Sequence, residues 1–154
     1  MRGIMTRKPG LHKPLIVVSC DSADDDGPAF VSASLSAEIA LRFGPRAEKP
    51  LSILAYDGEI LVGGLNGVTH WRWCYIRHFW VEQSWRGRGV GRWLLAHAEI
   101  ESRAQNCVGV YLDTFDPGAA TFYERQGFAR CGQIDDFPPG CARTFLFKRL
   151  SAPA

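Results

Sequence analysis

A chain of 154 residues has room for one globular domain with a hydrophobic core. Its 46% hydrophobic and 22% charged residues are typical of a folded globular protein and exclude a largely disordered chain. The formal net charge of +2 excludes a strongly basic nucleic-acid binder, so we expect no nucleic-acid partner and only a local basic site.

The five cysteines predict neither a disulfide framework nor a zinc site. Their number is odd and no C-x-x-C pair occurs, so we expect reduced thiols, no metal and a cytoplasmic protein. No stretch is long and apolar enough to span a membrane, and the apolar run from Leu15 to Val18 is shorter than a signal peptide requires. We therefore expect a loose segment over residues 1–13, a short first strand at Leu15–Ser19 and no membrane partner.

The first half of the chain predicts a helix and three antiparallel strands. Apolar residues at helical spacing predict an amphipathic helix from Pro28 to about Phe43. Two apolar runs joined by Asp57-Gly58 predict a β-hairpin with a type I′ turn. The third strand, from about Arg72 to Val81, is largely apolar on both faces, as a central strand covered on both sides would be.

The second half predicts helices alternating with strands. A helix that ends near Asn106 is predicted from residues that recur at helical spacing along one face, namely Val90, Leu94, His97, Glu101 and Ala104. The stretch VGVYLDTF predicts a strand, AATFYERQG a short helix that Gly127 ends, and FARCGQI and RTFLFKRL two final strands. We therefore predict a single domain over residues 1–154 of the α+β (mixed α/β) class, with helices flanking a mixed, mostly antiparallel sheet.

The stretch WRGRGVGRW, residues 85–93, places glycines and arginines directly before a helix. Glycine lets a backbone approach a phosphate closely, and a helix N-terminus and arginines both attract anions. A P-loop is excluded because its motif is absent, and the dinucleotide-binding G-x-G-x-x-G requires a glycine where Arg92 stands. RNA stacking on Trp85 and Trp93 lacks a broader basic face, and Trp93 is expected beside the buried helix stripe. A phosphate or pyrophosphate site is the favoured interpretation.

Two motifs carry a family resemblance. Residues 86–91 match R-x-x-G-x-G, and FYERQGF, residues 122–128, follows one helix and one strand later. In this order they resemble the GNAT superfamily of N-acetyltransferases over roughly residues 28–150. The segments YLDTF and DDFPPG further resemble a branch of small bacterial acetyltransferases of poorly defined substrate. In that branch the stretch after LDTF commonly reads S-F-Q-A-P, so Gly118 replaces a glutamine within the changed segment 116–120.

The resemblance implies an acetyl-CoA cosubstrate, a small-molecule amine acceptor and the option of a homodimer. It also implies that loop N–H groups bind the CoA pyrophosphate and that main chain on the third strand pairs with the pantetheine arm. Tyr123 matches the family's general acid, because a phenol near the sulfur can protonate the departing thiolate. The implied cofactor-binding residues are Trp80, Val81, Arg86, Gly87, Arg88, Gly89, Val90, Gly91 and Arg92.

The general base is less determined by sequence. Glu82 and Asp113 are candidates because both stand at strand ends that should face the cleft, and His78 is a third. Two other functions stay open at this point. The first is a non-catalytic acyl-CoA-binding or regulatory module of the same fold, and the second is a dinucleotide-binding protein.

The acceptor is expected to be a small cationic amine. Carboxylates with aromatic residues suit such a molecule through ion pairing and cation–π contact. The candidates at the expected cleft edges are Glu82, Asp113, Asp116, Asp135, Asp136, Trp71, Trp73 and Phe137. The alternative is that Asp135 and Asp136 only serve the turn before Pro138-Pro139.

Overall fold

The computed structural model describes residues 26–151. Its elements in chain order are α1 (Asp26–Phe43), β1 (Lys49–Asp57), β2 (Ile60–His70), β3 (Trp73–Val81), a 3₁₀ turn (Gln83–Trp85), α2 (Val90–Ala104), β4 (Gly109–Thr114), α3 (Pro117–Arg125), β5 (Ala129–Asp135) and β6 (Ala142–Arg149). The strand predicted at Leu15–Ser19 and the loose segment predicted over 1–13 lie outside the described residues.

The chain divides into two compact units at Gly44, and α1 lies in the first. The helix begins at Asp26 rather than at the predicted Pro28. It ends as predicted, where Gly44 takes a positive φ of 81° and donates its N–H to the Ala40 carbonyl at 3.0 Å. The prediction of one domain over residues 1–154 stays a prediction.

The second unit contains a six-stranded sheet in the order β1-β2-β3-β4-β6-β5. Every neighbouring pair is antiparallel except β3 and β4, which are parallel and are connected through α2. A mixed, mostly antiparallel sheet with helices is therefore confirmed. The parallel pair at its centre requires a long crossover, and that crossover contains the glycine-rich loop.

The hydrophobic core lies between one face of this sheet and the helices α2 and α3. Leu95, Val110 and Leu146 are among its fully buried side chains, and Tyr123 of α3 belongs to the same cluster. The buried stripe of α2 differs from the prediction, since it consists of Leu94, Leu95, Ala98 and Ser102. Because two consecutive leucines both turn inward, the stripe shifts by about one position and leaves His97, Glu101 and Ala104 exposed.

The hairpin between β1 and β2 also differs from its prediction. Asp57 is still paired, with Ile60, so Gly58 and Glu59 are the two central turn residues. Only Gly58 has a positive φ, of 59°. This pattern fits a type II′ turn rather than the predicted type I′, which would need a positive φ at both central residues.

A bulge in β3 changes which of its residues face the core. Asn66 of β2 pairs with His78 and Gly67 with Ile76, so Arg77 is the extra residue. Before the bulge the even-numbered Cys74 and Ile76 are buried, whereas after it the odd-numbered Phe79 and Val81 pack against the core. The inward face of β3 therefore changes parity at the bulge, which the sequence did not predict. The opposite face carries the half-buried Trp73 and Tyr75, and Trp80, which is 48% exposed.

Gly67 permits this bulge by close contact. A Cβ atom at position 67 would overlap the carbonyl oxygen of Tyr75 on the neighbouring strand. No side chain fits there unless β2 and β3 move apart, so glycine is required at this position for steric reasons.

We predict that Gly67→Ala lowers the free energy of unfolding by about 1–3 kcal/mol, the usual cost of overpacking. Gly132→Ala is the matched control, since Gly132 also lies in a strand but has open space around its Cβ position. Chemical denaturation of both variants checks this. Equal stability of the Gly67→Ala protein and the wild type would contradict the steric account.

Candidate active site

A gap in the sheet forms the framework of the site. The strands β3 and β4 pair only through Trp73–Tyr75 and Gly109–Tyr111, although β3 continues to Val81. Beyond Tyr75, the edge of β3 that faces β4 therefore has no strand partner among the described residues. Unpaired backbone N–H and C=O groups along such an edge can accept an extended ligand.

Side-chain packing holds the two strands together up to the point where they separate. The Trp73 ring occupies the space that a Cβ atom of Gly109 would need. The rings of Tyr75 and Tyr111 stack with centroids 4.8 Å apart and planes inclined by 14°. The Tyr75 hydroxyl then donates to the Asp113 carboxylate at 3.0 Å. These contacts fix where the gap begins.

The glycine-rich loop closes one end of the gap. The Arg86 Nε atom donates to the Val81 carbonyl at 2.9 Å and ties the loop to the end of β3. Gly89 is the N-cap of α2 with a left-handed φ of 89°, and no side chain caps the helix. The first N–H groups of α2 are consequently open to an anion, as at other uncapped helix N-termini.

A cleft of about 490 Å³ joins the loop, the β3 edge and α3. Its predicted members are Trp80, Val81, Arg86, Gly87, Gly89, Gly91, Arg92 and Tyr123. The cleft also contains Asp116, which was predicted as an acceptor-binding candidate, while sequence reasoning did not name the remaining wall residues as site residues, which are Phe79, Gly118, Ala119 and Phe122. Among these five residues, only Asp116 carried a recognisable signal, as an aspartate before Pro117 at a helix start, where it caps α3 by accepting the Gly118 N–H at 2.8 Å.

Four predicted site residues lie away from this cleft lining. Arg88 and Val90 line a neighbouring cavity with Trp85 and Trp93, and the Arg88 guanidinium lies 5.1 Å from the Trp85 ring. Trp93 is 66% exposed, so its expected place beside the buried stripe of α2 is wrong. Glu82 and Asp113 do not line the cleft.

Tyr123 is the most buried titratable group in the cleft lining. Its ring contacts Phe79, Phe122 and Phe128, and only 7% of the residue is exposed. Burial, with the nearby carboxylates of Asp116 and Asp113, raises the pKa of Tyr123 to about 12. Its hydroxyl has no hydrogen-bond partner among residues 26–151. Tyr123 therefore offers a phenol that keeps its proton at neutral pH.

The predicted carboxylate bases are engaged elsewhere. Glu82 caps the 3₁₀ turn by accepting hydrogen bonds from the backbone N–H and the hydroxyl of Ser84, and these bonds lower the pKa of Glu82. Asp113 accepts from the Arg143 guanidinium at 2.6 Å in addition to the Tyr75 hydroxyl. The donors to Glu82 stabilise its ionised form and reduce its basicity, and the Asp113 carboxylate is occupied by the Tyr75 hydroxyl and the Arg143 guanidinium.

His78 has a different environment, on the sheet face opposite to the core. Its Nδ1 atom lies 2.8 Å from the Oδ1 atom of Asn66. Because an amide oxygen only accepts hydrogen bonds, Nδ1 carries the proton and the Nε2 lone pair is free. The imidazole is exposed on the part of β3 that borders the gap, although His78, like Glu82 and Asp113, is not among the residues that line the cleft.

The expected acceptor-binding residues are not gathered in one place. Trp71 and Trp73 lie at the far end of β3 from the loop. Asp136 accepts the Gly140 N–H at 2.8 Å and so serves the turn around Pro138-Pro139, which was the alternative to acceptor binding. Asp135 accepts from the Gln133 side-chain amide at 2.6 Å. The Phe137 ring lies 4.8 Å from the Arg143 guanidinium. Of the acidic candidates, only Asp116 lines the cleft.

Residues 26–151 contain no helix long and apolar enough to cross a membrane, and no group of three potential metal ligands.

Residues 21–128 match the family model described as the acetyltransferase (GNAT) family. The chain is 36% identical to the acetyltransferase Atu2258 of Agrobacterium fabrum over 134 residues, covering 86% of this chain and 98% of that protein. It is 38% identical to the blasticidin-S acetyltransferase of Streptomyces morookaense over 118 residues, covering 72% of this chain and 86% of that protein. The fold is similar to that in a crystal structure of an acetyltransferase from Agrobacterium tumefaciens, with a TM-score of 0.78 and 35% sequence identity. The similarity covers 88% of this chain and 100% of that chain. The chain belongs to the GNAT family of acetyltransferases.

Proposed function

We propose that this protein is an acetyl-CoA-dependent N-acetyltransferase that acts on a primary amine of a small molecule. The observation that carries the proposal is the cleft in which a protonated, unpartnered Tyr123 hydroxyl, an open helix N-terminus and the unpaired edge of β3 meet. An acetyltransferase of this family needs a general acid, a site for the CoA phosphates and a surface for the pantetheine arm. The three features correspond to these needs in that order.

The described residues fit acetyl-CoA as the acetyl donor. The N–H groups at residues 87–92 and the guanidinium groups of Arg86 and Arg92 suit the pyrophosphate. Open space surrounds the Cβ position of Gly89, so a phosphate can approach the backbone there. The apolar wall formed by Phe79 and Phe122 suits the pantetheine arm beside the β3 edge. Arg88 and Val90 would contribute through their backbone, since their side chains line the neighbouring cavity.

Tyr123 is the proposed general acid. A thiol titrates near 8.5, so a phenol whose pKa is about 12 is protonated throughout the pH range in which the thiolate leaves. The aromatic surroundings exclude water from the ring and leave the hydroxyl without a competing protein acceptor. Tyr123 can thus hold its proton until CoA departs.

His78 is the proposed general base, in preference to Glu82 and Asp113. The helices α2 and α3 pack on one face of the sheet and His78 lies on the opposite face, which is the proposed side of approach for the amine. Its free Nε2 can accept the proton that the attacking amine loses, while Asn66 fixes the tautomer. The carboxylates of Glu82 and Asp113 already accept charged or backbone donors.

The acceptor is proposed to be a small cationic amine. Asp116 supports this charge preference because its carboxylate borders the cleft near Tyr123. The similarity to a blasticidin-S acetyltransferase makes blasticidin S the first acceptor to test. A thiol-release assay with acetyl-CoA should compare it with aminoglycosides, amino acids and simple alkylamines.

We predict that CoA raises the melting temperature, and that Gly89→Leu abolishes the rise because the side chain fills the path of the phosphate. A ligand that binds only the native state stabilises it by about 2.7 kcal/mol at a hundredfold excess over its Kd. Gly58→Leu is the matched control, since Gly58 also has a positive φ and open space but lies in the β1–β2 turn. A wild-type melting curve that CoA does not move would refute the proposed function.

Tyr123→Phe should lower kcat by about a hundredfold to ten-thousandfold and leave the Kd for CoA nearly unchanged, because only the donor hydroxyl is lost. Since burial raises the pKa of Tyr123 to about 12, the wild-type kcat should show no loss between about pH 8 and 10 from ionisation of this phenol. Stopped-flow thiol release and calorimetric CoA binding provide the two measurements. An unchanged kcat in a chemistry-limited assay would assign Tyr123 to packing alone.

His78→Ala should lower kcat/KM by about a hundredfold or more, since no group then accepts the proton of the amine. Asn66→Ala should give a smaller loss, because the imidazole stays but its tautomer is no longer fixed. His97→Ala is the control, as His97 is an exposed histidine of α2 that contacts the Trp93 carbonyl. A His78→Ala enzyme that keeps the wild-type kcat/KM would exclude His78 as the base.

A further inference from the structure

A second cavity, of about 320 Å³, lies at the end of β3 opposite to the glycine-rich loop. Residues 45–49, the turn between β2 and β3, and the segment that follows α2 form its walls. All of these belong to the unit that begins at Pro45. No part of the proposed acetyl transfer uses this cavity.

The charged residues in its lining are all cationic. Arg46, Lys49 and Arg72 line the cavity, and no aspartate or glutamate within residues 26–151 does so. Glu48 pairs with Arg46 at 3.1 Å, but the two side chains are 43% and 52% exposed, and ion pairs with this exposure are weak. The Arg46 guanidinium can therefore exchange this partner for an anion in the cavity.

A buried donor of His70 lacks an acceptor at the same place. The Nε2 atom of His70 lies 2.9 Å from the Tyr111 hydroxyl, which has no other hydrogen-bond partner among residues 26–151. If the phenol donates to Nε2, the neutral imidazole carries its proton on Nδ1. Burial and the charge of Arg46 lower the pKa of His70, which favours this neutral form. The Nδ1 atom is buried without a hydrogen-bond partner among residues 26–151, and an oxygen in the cavity can reach it only after a small movement of the surrounding residues.

The turn that carries Trp71 and Arg72 has an unusual sequence for its geometry. Trp71 and Arg72 both have positive φ values, 44° and 66°, as a type I′ turn requires. Such turns usually contain asparagine or glycine, because larger side chains are strained there. Backbone bonds from Trp71 to the Arg46 carbonyl at 3.3 Å and from Val108 to the Arg72 carbonyl at 2.7 Å hold the turn at the cavity wall.

We propose that this cavity binds a small phosphate-bearing ligand. Three cationic side chains line the cavity and only Arg46 pairs with a carboxylate of the described residues, that of Glu48, so the local charge matches a phosphate dianion better than a monocarboxylate. The Trp71 ring supplies an apolar wall for the organic part of the ligand, and the Nδ1–H group of His70 would supply a directional donor once the ligand opens a path to it. The cavity is larger than inorganic phosphate alone would need.

Inorganic phosphate is the probe in a titration of isotope-labelled protein followed by NMR, with chloride at equal ionic strength as the reference. We expect saturable shifts at residues 45–49, 70–72 and 105–107, and an Nδ1-protonated His70 in long-range ¹H–¹⁵N spectra. Lys49→Gln combined with Arg72→Gln should weaken phosphate binding about tenfold or more, because charge-assisted bonds are lost. Arg125→Gln combined with Arg130→Gln removes the same charge from exposed positions and should leave the affinity unchanged.

Several outcomes would overturn the proposal. They are shifts confined to residues 87–92, an Nε2-protonated His70, and equal weakening in both double variants. Acetate that binds as tightly as phosphate would also overturn the assignment to a phosphate. Because shifts at the glycine-rich loop and at this cavity are separate signals, failure here would leave the proposed acetyl transfer untouched, and failure of CoA binding would leave this cavity untouched.

Discussion

The close approach of Gly67 to the Tyr75 carbonyl is the constraint on which the active-site framework depends. It lets β2 and β3 stay paired across a bulge, and a bulge bends and twists the strand that contains it. On the other side of β3, pairing with β4 stops at Tyr75, close to the same point in the chain. The part of β3 beyond the bulge therefore borders a gap and still packs Phe79 and Val81 into the core.

The chemistry of Tyr123 follows from what surrounds this gap. Phe79 enters the core because the bulge shifts the parity of β3, and it meets Tyr123 and Phe122 there with ring centroids 6.1 and 6.2 Å apart. Gly91 at the start of α2 has no side chain, so the Phe122 ring can approach the helix. The resulting apolar environment disfavours the phenolate and keeps the phenol protonated. The bulge in β3 thus places Phe79 against Tyr123 and contributes to the apolar surroundings that raise the pKa of this phenol.

The sequence predicted the parts that depend on local pattern. The three antiparallel strands, the glycine-rich loop, the left-handed Asn106 after α2 and the mixed sheet follow from hydrophobic periodicity, turn chemistry and motif spacing. The family resemblance extended this prediction to the loop and to Tyr123, and most of those positions meet in one cleft. The family itself is shown by the match over residues 21–128.

The other features of the fold and the site depend on tertiary contacts and could not be predicted from the sequence. The parity of β3 could not be inferred, since nothing in its letters marks Arg77 as the extra residue of a bulge. The pairing of Asp113 with Arg143, 30 residues away in sequence, depends on β4 and β6 being neighbours. The contact between His78 and Asn66 likewise depends on the β2–β3 register. These long-range contacts decide which titratable side chains near the gap are free to act.

The most direct test of the account is amide hydrogen exchange with and without CoA, resolved to single residues. We expect CoA to slow exchange in two separate segments, residues 87–92 at the loop and residues 78–81 along the unpaired edge of β3, because both would donate to the ligand. Protection at the loop without any at the β3 edge, or protection in neither segment at saturating CoA, would contradict the claim that the gap between β3 and β4 is the cosubstrate site.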